Sequence, residues 1–153
     1  MSSWYYKVTN KLGAIPDFIT HFETELENAK RDLSLRGKTL EKHAADLPGI
    51  VEYRFAQLQE IEAVLEYLNV KLRKDRSLEF KKFLESYNKA LSSRDAEKYV
   101  DGVAHIVDLT VLINEVALLR NKFLGLSKGF EANNFMVGHI IKLKAAGLDD
   151  ATV

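Results

Sequence analysis

Cysteine is absent from the chain, which removes disulfides, thiol nucleophiles and thiolate metal sites together and suits a reducing compartment. Proline occurs only at Pro16 and Pro48 in 153 residues, a scarcity that favours helix. No apolar run reaches the roughly 18 to 20 residues a membrane span needs. Met1 to Lys11 shows no basic region followed by an apolar core, so no secretory signal is expected and a cytoplasmic location is. Neither sign of charge is in excess, with 22 Lys and Arg against 22 Asp and Glu. The hydrophobic content of 46% is enough for a real core and argues against a disordered chain.

Catalytic constellations are equally scarce. None of the four histidines, His21, His43, His105 and His139, has the Glu-x-x-His spacing of a bundle di-metal site. No P-loop or dinucleotide fingerprint occurs. The acidic row Glu52, Glu60, Glu62 and Glu66 reads as a solvated helix face, and His21, beside Phe18 and Phe22, as a packed or surface residue. The expectation is a protein that is not an enzyme, with no cofactor and no metal. A helical hydrolase would require carboxylates and a histidine converging in one pocket.

The charge is balanced in total but segregated along the chain. Lys71, Arg73, Lys74 and Arg76 form a basic knot, and Lys81 and Lys82 follow, against only Asp75 and Glu79. The preceding residues 50 to 66 are acidic but for Arg54. Residues 95 to 115 are again acidic and 116 to 146 basic, an alternation that can pair subunits electrostatically. On a helical wheel Lys71, Lys74, Lys81 and Lys82 share one flank and Arg73 and Arg76 another, a collar suited to a phosphate backbone. Phe80, Phe83 and Tyr87 at helical spacing are core candidates first and base-stacking candidates second.

The pattern predicts an all-α, elongated protein forming a single helical domain. Residues 1–47 hold an N-terminal segment and first helix, 48–101 a helical region that carries the basic knot, and 102–153 a C-terminal helix. Trp4 to Thr9 has strand-like or extended composition. A first helix begins near Pro16 and ends by Gly37, and a short one behind Thr39 stops at the Asp46, Leu47, Pro48, Gly49 break. From Ile50 to Leu91 there is neither glycine nor proline, and Val51, Leu58, Leu65 and Leu72 recur every seven residues. One long helix over about 49–91 follows, roughly 60 Å if unbroken at Asp75. Ser92 with Asp95 predicts a cap for a short helix stopped by Asp101 and Gly102. Asp108 can cap the second long helix, about 108–146, which Gly147 closes. Within it Gly125 and Gly129 are spaced for close helix approach, although fraying or a kink is an equal reading.

The Lys-x-Arg pair on a helix, the stretch Leu91 to Tyr99 and the long helix from Val107 and Asp108 through Gly125 and Gly129 to Gly147 resemble the UvsY-type recombination mediators of T-even-like bacteriophages. The resemblance spans roughly residues 60–148. It implies a small helical protein that assembles into a ring-like homo-oligomer through its C-terminal helix, with DNA binding assigned to residues 48–101 and oligomerisation to 102–153. Such a protein binds single-stranded DNA and loads the phage recombinase while the phage single-strand-binding protein is displaced, in the cytoplasm of an infected bacterial cell. Lys71 and Arg73 match the family's DNA-binding pair, with Val70 where a leucine is expected and Lys74 in place of an apolar residue. The expected DNA contacts are thus Lys71, Arg73, Lys74, Arg76, Lys81 and Lys82. The expected oligomerisation positions are Val111, Leu118, Phe123, Gly125, Gly129 and Ile140. The rival expectation is a non-catalytic helical scaffold or adaptor, such as a phage structural component, whose collar pairs only with a neighbour's acidic block.

Overall fold

The computed structural model describes residues 4–86 and 91–148, and every regular element among them is helical. The order is α1 (Trp4–Asn10), a 3-10 turn (Leu12–Ala14), α2 (Ile15–Asp32), α3 (Leu40–Ser86), α4 (Ser93–Asp101) and α5 (Ala104–Ala145). The all-α expectation with two long helices holds. No single helix among the described residues is long and apolar enough to cross a membrane.

Local chemistry sets several boundaries as expected. Thr39 Oγ1 accepts from the Lys42 N–H at 3.3 Å ahead of α3. Ser92 caps α4, its Oγ accepting from the Asp95 N–H at 3.2 Å and donating to Asp95 Oδ2 at 2.6 Å. Gly147 closes α5 at a φ of 72°, where a residue with a Cβ would be strained.

Four boundaries differ from the sequence reading. Trp4 to Asn10 is helix rather than extended chain. Tyr67 Oη donates to the Thr9 carbonyl at 3.2 Å and Trp4 packs edge-on against Phe18 at 6.1 Å, so side-chain packing overrides a weak strand propensity. α3 starts at Leu40 and runs through Pro48 instead of breaking there. Pro48 and Ala44, whose carbonyl it leaves without a helical donor, are both exposed, while His43 and Leu47 are buried and hold the same turns. The helix also continues through Asp75, and Leu91 is already outside it, with Tyr87 and the remaining stretch to 90 outside the described residues. α5 begins at Ala104, four residues before Asp108, because the Val103 carbonyl already accepts from Ile106 and Val107 at 2.9 and 3.0 Å.

The chain forms two compact units. The first, Met1–Ile19 with Glu60–Arg120, centres on Val8, Ile15, Phe18, Ile61, Val64, Leu68, Val100, Ile106 and Val116. The second, Thr20–Gln59 with Asn121–Val153, buries Phe22 edge-on to Phe123 at 5.8 Å, together with Leu47, Leu58, Leu126 and Phe130. In α5, Leu109, Val116, Phe123, Phe130 and Val137 are all buried at a seven-residue spacing. In α3 the corresponding buried row is Leu47, Arg54, Ile61 and Leu68, with Gln57 and Val64 beside it. The expected row Val51, Leu58, Leu65 and Leu72 is thus off the buried face except at Leu58, and Val51 is exposed.

Two polar residues occupy that α3 face because the second unit satisfies them. Arg54 donates to Asp32 Oδ2 at 3.2 and 2.7 Å, to Glu25 Oε2 at 2.8 Å and to Gln57 Oε1 at 3.0 Å. Gln57 Nε2 and Tyr53 Oη also donate to Glu25 Oε2, at 2.8 and 3.2 Å. Burial works against the Glu25 charge, but these hydrogen bonds and the Arg54 guanidinium outweigh it and hold the carboxyl below its ordinary value. Desolvation, and then the Glu25 charge, push the Tyr53 phenol up. In the same unit His43 Nε2 is 2.7 Å from Asn133 Oδ1, and Asn133 Nδ2 donates to the Leu33 carbonyl at 2.8 Å.

Arg54→Ala leaves two carboxylates without their counter-charge, and urea unfolding should show a loss of about 3 kcal/mol. Because the folded-state pKa of Glu25 is depressed, its contribution is present above the unfolded value, about 4.3, and is lost as pH falls below it. Glu25→Gln should therefore flatten the acid limb of a stability-against-pH curve, and an unchanged limb would contradict the assignment.

Candidate nucleic-acid interface

Within the first unit, the buried row of α3 gives out where the basic knot begins. Lys71 and Asp75 follow Val64 and Leu68 on that face and pair with each other at 3.0 Å, with side chains 33% and 18% exposed. A cation and a carboxylate one turn apart thus replace the apolar pair that a continuing core would need. Beyond them the helix presents charge outward. Arg73, Lys81 and Lys82 are about 70% exposed, and Lys74 is exposed as well.

The cations are not bare. Arg73 pairs with Glu66 at 3.0 Å, Lys81 with Glu85 at 3.7 Å, Lys82 with Glu79 at 2.6 Å, and Arg76 with Asp101 at the end of α4. Among the described residues Lys74 alone of the six has no carboxylate within ion-pair distance. The sequence missed Glu66, Glu85 and Asp101 because their reach depends on helical register or on the placement of α4. His105 Nε2 lies 3.8 Å from Glu79, adding a further group to the cluster.

Arg73 and Arg76 line two adjoining hollows. One is completed by Ser77, Phe80, Glu97 and Val100, the other by Glu66, Asn69 and Leu72. Phe80 is half-buried and lines the first of these together with the two arginines. Phe83 is engaged elsewhere, stacked on Tyr99 at 5.7 Å and 25°. The two aromatic candidates among the described residues are therefore unequal: Phe80 borders the cationic surface, and Phe83 belongs to the α3–α4 packing.

The expected oligomerisation positions fall in three environments. Val111 and Leu118 are exposed at 50% and 58%, on the side of α5 away from its buried row. Gly125 faces open space. Phe123 is buried inside its own chain, and a Cβ on Gly129 would lie 3.3 Å from Leu33 Cδ1, so its close approach is to the end of α2. Ile140 is half-buried. No group of three or more metal-ligating side chains stands together among the described residues. No protein-family model matches the chain, and neither a curated protein nor a solved structure does.

Exposed ion pairs of this kind contribute about 0 to 1 kcal/mol each. Arg76→Ala and Asp101→Ala should each change unfolding stability by no more than about 1 kcal/mol. A loss of several kcal/mol in chemical denaturation would show instead that the pair is structural and not available to a ligand.

Proposed function

We propose that the chain is a non-catalytic, single-stranded DNA-binding recombination mediator, which helps load a phage recombinase onto strands covered by single-strand-binding protein. The observation that carries this reading is the outward run Arg73, Lys74, Lys81 and Lys82, with Arg76 and Phe80 beside it. Glu66, Glu85 and Asp101, which hold Arg73, Lys81 and Arg76, are exposed and therefore weak partners that phosphate oxygens can replace at small cost, whereas Glu79, which holds Lys82, is largely buried. Bases unpaired from a partner strand could stack on Phe80 while the backbone follows the cations. Arg73 and Lys74 are the principal contacts in this reading. Lys71, half-buried against Asp75, supports them from behind.

Assembly completes the mechanism. Several copies, as a ring, repeat a modest site around one strand, and avidity then turns weak capture into firm capture. Exposed Val111 and Leu118 on α5 are available to such an assembly. The site of action is the cytoplasm of an infected bacterial cell, and no bond is made or broken.

A non-catalytic scaffold without nucleic-acid binding is the second reading, and one observation favours it. Five of the six cations already have carboxylate partners within their own chain. Anisotropy of a labelled oligo-dT strand at about 50 mM salt separates the two. The mediator reading expects binding that Arg73→Ala with Lys74→Ala weakens by about tenfold or more, and Lys71→Ala alone by less. No binding leaves the scaffold reading, and wild-type binding that ignores all three changes overturns the assignment of the site to these residues.

A further inference from the structure

The second unit contains an apolar groove that the DNA reading does not use. The Leu47–Leu58 stretch of α3 and the Leu124–Asn134 stretch of α5 border a cavity of about 660 Å³. Leu58 and Phe130 are buried beneath it, whereas Val51, Phe55 and Leu124 remain 40%, 54% and 36% exposed along it. Covering the apolar area that these three side chains leave against water is favourable, so the groove favours an apolar occupant.

Charge narrows the choice. Glu52 on one wall and Glu131 on the other are exposed and have no ion-pair partner among the described residues. The cation at the groove, Arg54, is already engaged by Glu25 and Asp32. A nucleic-acid strand or a fatty-acid carboxylate would meet uncompensated negative charge there, while a ligand that is apolar in the middle and cationic at both edges would be matched. The walls are 12 and 11 residues long, or about 17 Å at 1.5 Å per residue.

We propose that this groove receives a basic amphipathic helix of about three turns from a partner protein, its apolar face on Val51, Phe55 and Leu124 and its lysines or arginines against Glu52 and Glu131. The inference stands apart from DNA binding, which uses the other unit.

The test titrates the full chain into fluorescein-labelled synthetic helices of about 14 residues: an amphipathic Leu/Lys peptide, its Leu/Glu counterpart and a scrambled Leu/Lys sequence. The amphipathic Leu/Lys peptide should bind about tenfold or more tightly than either control. Glu52→Lys with Glu131→Lys should remove that preference, and Phe55→Asp should weaken binding by about tenfold or more with the circular dichroism spectrum unchanged. All these positions are exposed, so the variants are expected to fold. Equal binding of the Leu/Lys and Leu/Glu peptides, no binding, or indifference to both variants would overturn the proposal. So would light scattering in which Phe55→Asp converts a wild-type assembly to monomer, or tight binding of a peptide spanning residues 138–148, because the occupant would then be a second copy. Binding of an apolar dye but no peptide would mark a small-molecule cavity and overturn it as well.

Discussion

A long helix can bury only one stripe, and the position of that stripe decides what the remaining surface of this chain offers. In α5 the stripe is Leu109, Val116, Phe123, Phe130 and Val137. In α3 it is Leu47, Arg54, Ile61 and Leu68. At about 25 cal/mol per Å² of apolar area removed from water, this burial is the main term that holds either unit together. Where it stops, at Lys71 and Asp75, charge takes over the helix. Where it is incomplete, beside Val51 and Phe55, an apolar groove is left.

The two surfaces that result have opposite character. Around Arg73 and Lys74 the helix is cationic, exposed and held by weak ion pairs that a polyanion can replace. Around Glu52 and Glu131 the rim is anionic and the floor apolar. A chain of zero net charge thus carries one surface suited to phosphate and another suited to a basic helix, in different units. Segregation of charge, rather than its sum, decides which chemistry each surface can accept.

Helix content, the Ser92 cap and the Gly147 stop were legible in the sequence because each depends on residues a few positions apart. The register of α3 was not. Arg54 and Gln57 sit on the buried face, and their hydropathy disguises it; only the distant Glu25 and Asp32 make those positions tolerable. In the sequence Pro48 looks like a break because its compensation, the packing of His43 and Leu47, is also tertiary. Likewise the basic knot was visible as composition, but Glu66 and Asp101, which temper it, are 7 and 25 residues from their arginines. The sequence therefore located the cationic segment and overstated its bareness. A lone arginine inside an acidic block was the one available signal of the buried cluster.

The central claim is that phosphates displace these carboxylates and bind the cations of residues 71–82. The most direct measurement is the dependence of single-stranded DNA affinity on salt between about 50 and 200 mM. At roughly −0.7 per phosphate contact on a single strand, three to six contacts give a slope of about −2 to −4 in log affinity against log salt. A slope in that range supports the account; a slope near zero, or no binding at the lowest salt, contradicts it.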